Sequence, residues 1–123
     1  MAKNNRKQIS EKVEILEILY SKIDVCFHQH FKLIDESGTG FLVSGKCHYE
    51  VTTDNIRKLS MWKKEFKAEL SDLLELIANH KGSFFDTEHE KNIDSFNKKR
   101  VSDLSQNYDS LVGLIEKVHI VEI

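Results

Sequence analysis

Residues 9–34 read ISEKVEILEILYSKIDVCFHQHFKLI, and the spacing of apolar residues in this stretch decides the fold. Ile9, Val13, Leu16, Tyr20, Ile23, Phe27 and Ile34 fall on steps of three, four and seven, which puts them on one stripe of a helix with 3.6 residues per turn. Ser10 is a good N-cap residue at the start of this pattern. Ile15, Leu19, Cys26 and Phe31 widen the stripe, so it is broad enough to meet two neighbouring helices rather than one. The pattern predicts a first helix over about 10–36, stopping where Ser37-Gly38-Thr39-Gly40 follows.

The same period returns twice. Thr53-Asp54 opens a run in which Ile56, Leu59, Trp62, Phe66, Leu70, Leu73 and Ile77 recur at three and four, broadened by Leu74 and closed by Lys81-Gly82. This predicts a second helix over about 54–80. Thr87 followed by Glu90 has the spacing of a capping box, and Ile93, Phe96, Val101, Leu104, Tyr108, Leu111, Ile115 and Val118 follow, predicting a third helix over about 87–119. One extra residue between Phe96 and Val101 breaks the strict repeat. With no proline and only 5 glycines in 123 residues, nothing interrupts the helices.

Residues 37–53 are different. Gly40-Phe41-Leu42-Val43 and Cys47 to Thr52 are rich in β-formers on either side of Ser44-Gly45, which fits a short β-hairpin lying against the helices, with an irregular connection as the alternative. The expected fold is all-α: one domain over 1–123, an elongated antiparallel three-helix bundle with a short hairpin between helices 1 and 2. A three-helix interior is small, so some of Ile15, Leu19, Trp62, Leu74 and Val112 are expected at the surface.

Charge narrows the function classes. The 18 basic and 20 acidic residues leave a net charge of -2, a poor field for a nucleic-acid backbone or an anionic membrane. A nucleic-acid role would need Lys58, Lys63, Lys64, Lys67, Lys98, Lys99 and Arg100 to share one surface. No apolar run is long enough to span a bilayer, and the polar start of the chain has no secretory character. A cytoplasmic setting with free thiols at Cys26 and Cys47 is therefore expected.

Up-down-up helices would bring Cys26, His28, His30, Cys47, His48 and His119 toward one pole. These residue types ligate zinc when four converge, and His30, Cys47, His48 and His119 are the candidate ligands. The spacing matches no standard zinc motif, His28 and His30 point about 200° apart on a helix, and His30 on the apolar seam reads more simply as a core histidine. His80 and His89, with Asp86 and Glu88, are expected near the opposite pole as solvent-exposed groups beside a helix cap.

The run from Asp35 to Gly40 has the oxygen-bearing residues and glycine that open an EF-hand calcium loop, but Lys46 stands where the bidentate glutamate belongs, and no calcium site is expected. Cys47 beside His48 is a nominal thiol–imidazole pair, yet strand neighbours point to opposite faces. No phosphate-cradling loop or nucleophile elbow is present. The expectation is a non-enzymatic module that presents a helical face to another protein, as an adaptor, an antitoxin or immunity-type inhibitor, or an export chaperone, with self-association into a homodimer as another way to cover that face. The alternative is a metal-binding or metal-sensing domain, zinc being the cofactor.

Overall fold

The computed structural model describes residues 2–35 and 48–123. Three long helices dominate: α1 (Ala2–His30), α2 (Thr53–Asn79) and α3 (Glu88–Glu116). At the standard rise each is about 40–45 Å long. They form the expected antiparallel bundle, and α1 packs against both of the others. The apolar stripe of α1 supplies Ile9, Val13, Leu16, Leu19, Ile23, Cys26 and Phe27 to the core. Leu59, Phe66 and Leu73 answer from α2, and Val101, Leu104, Tyr108, Leu111 and Ile115 from α3. Phe66 of α2 meets Tyr108 of α3 with the two rings parallel at 4.0 Å.

α1 starts at Ala2, not at Ser10, which lies inside the helix; the starts of the other two helices are set by local chemistry. Thr52 accepts a hydrogen bond from the Asn55 amide at the head of α2. Before α3 the capping box forms in full: Thr87 Oγ1 accepts from the Glu90 amide, and Glu90 Oε1 accepts from the Thr87 amide. Each pairing satisfies donors that a helix terminus leaves without partners.

The helix ends at the other pole differ from expectation. α1 stops at His30, not 36, and α3 stops at Glu116, not 119. The chain turns instead into strands β1 (Lys32–Asp35), β2 (His48–Val51) and β3 (His119–Glu122), which form one sheet in the order β1-β2-β3. β1 and β2 are antiparallel, so two strands do pair between helices 1 and 2, but the first is Lys32–Asp35. The expected first strand, 40–43, lies outside the described residues. β3 runs parallel to β2, which requires a long crossover; α2 and α3 provide it. Pairing continues past β3: the Ile123 amide donates to the Val51 carbonyl at 3.0 Å. Val51 is buried, and Phe27, Phe31 and Tyr49 cluster beneath the sheet with ring centroids 5.0–6.4 Å apart. The sheet therefore closes this end of the core.

Of the residues expected at the surface, Ile15 and Leu74 are exposed and Trp62 and Val112 half-buried, whereas Leu19 is fully in the core.

Candidate functional site

The sheet pole holds His28, His30, His48 and His119. His30, at the end of α1, is exposed and is not a core residue. His119 is exposed on β3, not on a helix as the periodicity implied. His48 lies on β2, where the backbone register sets it opposite His119 on one side and Asp35 on the other. Cys47 lies outside the described residues. Cys26 is buried in the core, and that burial pushes its thiol pKa up. The His28 Nδ1–H donates to the Asp24 carbonyl one turn back. Among the described residues no group of three or more His, Cys, Asp or Glu side chains is placed to hold a metal ion.

The opposite pole holds a denser constellation. Arg6, near the start of α1, is only 8% exposed, and its guanidinium donates to three carboxylates of the α2–α3 connection and α3. Nη2 reaches Asp86 at 2.7 Å, Nη1 reaches Glu90 at 2.9 Å, and Nε and Nη2 grip both oxygens of Asp94 at 2.8 and 3.0 Å. His80, the C-cap of α2, donates from Nε2 to Asp94 at 3.1 Å. Its side chain is buried, which corrects the expectation of an exposed histidine; His89 is exposed as expected. A two-pronged donor fork of this kind is what arginine offers and lysine does not.

The fields are mutual. The carboxylates raise the Arg6 pKa. The Arg6 hydrogen bond holds Asp94 below the ordinary carboxylate range, with His80 adding to it. Asp86 is lowered first by the Ser83 amide and then by Arg6, and Glu90 first by the Thr87 amide. All three carboxylates are therefore held in the charged form that Arg6 needs.

The same Asp86 organises the surface. Its Oδ2 accepts from Arg6 and also from the Ser83 amide at 2.8 Å, the Asp86 amide donates back to the Ser83 carbonyl at 3.0 Å, and the Phe85 amide donates to Ser83 Oγ at 3.2 Å. These bonds close a four-residue turn with Phe84 and Phe85 at its crest. Both rings stand in solvent, 94 and 87% exposed, edge to face at 5.6 Å. Next to the turn, a Cβ at Gly82 would come within 3.3 Å of Asp86 Oδ2, so the glycine leaves room for this arrangement.

Sequence reasoning overlooked this site because it followed apolar residues only. On α1, Arg6 stands three residues before Ile9 on the same seam, and on α3 the seam is Glu90, Asp94, Asn97, Val101, Leu104, Tyr108, at alternating four and three. The apparent break at Phe96 arises because Asn97, 3% exposed, occupies the seam while Phe96 points outward under Arg100. Asn97 Nδ2 donates to Ser10 on α1, and Arg100 reaches Asn97 and Glu17. Arg100 is thus turned toward α1.

Among the described residues no helix is long and apolar enough to cross a membrane. Set against models of known protein families, curated proteins and solved structures, the chain matches none of them.

Proposed function

We propose that the protein is a non-enzymatic protein-interaction module, of the adaptor, inhibitor or chaperone kind, that engages a protein partner through the Phe84–Phe85 crest. The observation that carries the reading is the pairing of near-complete exposure with a closed, anchored turn. Two exposed phenylalanines represent a large unburied apolar area. A turn fixed in advance lowers the ordering cost of burying them in a partner's pocket. Aromatic anchors of this kind carry a disproportionate share of interface energy.

The test is recovery of partners from native lysate by the wild-type protein and by F84S/F85S. A partner recovered in near-equal amount by the wild type and lost by the variant is expected, with an unchanged thermal midpoint because both side chains already face water. Retention of the partner by the variant would remove the crest from the interface.

A second reading follows from the register that sets Asp35, His48 and His119 in one row across the sheet. Neighbouring strands lie about 5 Å apart, a backbone spacing from which two histidines can share one zinc ion. Under this reading the purified protein takes up about one equivalent of zinc in calorimetric titration, and H48A/H119A takes up none. Equal uptake by the two proteins rejects it.

A further inference from the structure

α1 turns a second apolar stripe away from the core. Ile15, Ile18 and Val25 are 42, 55 and 43% exposed, and their spacing places them on one face of the helix. Beside α2 the Ile15 end of this face opens into a groove of about 490 Å³, with Ile15 and Leu76 among its apolar lining residues and Glu11, Asp72 and Glu75 among its polar ones. None of these three carboxylates has an ion pair among the described residues. Lys12, which also lines the groove, is already held by Glu69 at 3.1 Å.

We propose that the α1–α2 groove is the docking site for a basic amphipathic helix of another protein. The inference rests on the protein-interaction reading and adds to it a second surface and the chemistry of its partner. A groove between two antiparallel helices receives a third helix lengthwise, and α1, flanked by α2 and α3, has its remaining face open for that helix. The incoming helix sets apolar residues, spaced three, four and seven apart, on Ile15, Ile18 and Val25. Its flanking lysines or arginines meet Glu11, Asp72 and Glu75, which then exchange a free charge for a paired one. A second copy of the chain fits poorly, because a two-fold pairing of this face would set the same carboxylates against each other. An anionic lipid surface is repelled for the same reason.

The probes are two labelled helical peptides of about 18 residues, roughly 27 Å long, with the same leucine stripe and either lysine or glutamate on the polar face. Binding to the full chain is read by fluorescence anisotropy at low and physiological salt. The lysine peptide is expected to bind at least about tenfold more tightly than the glutamate peptide, with an affinity that falls as salt rises. D72K/E75K is expected to lose about tenfold or more for the lysine peptide, and so is Ile18→Asp, while D103K/D109K, the same charge change on α3, retains binding. Circular dichroism confirms that these surface variants remain folded.

Equal affinity for the two peptides, or an equal loss in D103K/D109K, overturns the proposal. So does a wild-type dimer in sedimentation that D72K/E75K dissociates, since a second copy would then fill the groove. F84S/F85S should bind the lysine peptide as the wild type does. If the groove variants bind normally while F84S/F85S still loses its lysate partner, the groove inference alone fails.

Discussion

Replacing Phe66 by alanine is expected to cost about 3–5 kcal/mol of folding stability, the largest single effect in the molecule. The side chain is fully buried at the centre of α2, and its ring lies parallel to Tyr108 at 4.0 Å. Truncation removes the buried ring, leaves a cavity that neighbouring helices fill only in part, and deletes an aromatic contact worth about 0.5–1.5 kcal/mol beyond the area it buries. A domain of this size has a total stability of about 5–15 kcal/mol, so the variant should melt roughly 10–20 °C lower. Phe66→Leu separates the two contributions: it keeps most of the volume, loses the ring contact, and should fall well short of the alanine effect. Tyr108→Phe keeps the ring and removes only a long hydrogen bond, 3.4 Å to the Lys63 carbonyl, and should shift the midpoint little. Urea unfolding of the three variants measures all of this. If alanine costs no more than leucine, then Phe66 does not bridge α2 and α3 in the way the geometry implies.

The contact between Phe66 and Tyr108 was legible in the sequence because both residues belong to stripes whose period alone fixes the buried face of a helix. The strands were less so. His119-Ile120-Val121-Glu122 follows an apolar seam without a glycine or proline to end it, and only pairing with β2, far away in the chain, makes those residues extended. Non-local partners override local pattern most easily in such short segments. The exposed crest was hidden for a different reason. Two adjacent phenylalanines beside a capping box fall outside the helical stripes, and nothing in Ser83-Phe84-Phe85-Asp86 says that Asp86 will be held from behind by a residue 80 positions away. The charged end of the bundle could have been found by extending the three-four pattern backward through residues that are not apolar. Arg6 then falls into register with Ile9, and Glu90, Asp94 and Asn97 with Val101. Oppositely charged residues at equivalent seam positions of two helices signal a polar layer of the same bundle.

That layer supplies the second large effect. Arg6→Met removes the shared cation and leaves Asp86, Glu90 and Asp94 facing one another across a partly buried space. Loss of one partner from a buried ionic group is costly because the survivors keep their desolvation penalty without its compensation, and about 2–4 kcal/mol is expected here. Arg6→Lys should recover only part of this, since a single ammonium cannot bind both Asp94 oxygens and two further carboxylates at once. The pH dependence identifies the cause. In the wild type Asp94 is held below the ordinary carboxylate range, mainly by Arg6. A depressed carboxyl stabilises the fold above its unfolded value of about 3.9, and that stabilisation disappears as pH falls through the lower folded value. Without Arg6, Asp94 keeps only His80 among these partners, and repulsion from Asp86 and Glu90 moves its carboxyl back up. The stability gap between wild type and Arg6→Met should therefore be widest near neutral pH and should narrow as the carboxylates protonate, as read from urea midpoints at about pH 7, 5 and 3. A gap that stays constant with pH would mean that the charge pairing of Arg6 is not what stabilises the fold. In the expected case Asp86 also loses its Arg6 contact while keeping the Ser83 amide, so the crest of Phe84 and Phe85 becomes looser but not undone. Partner recovery by Arg6→Met should then fall between the wild type and F84S/F85S, tying the ion cluster at the base of the turn to the surface that it presents.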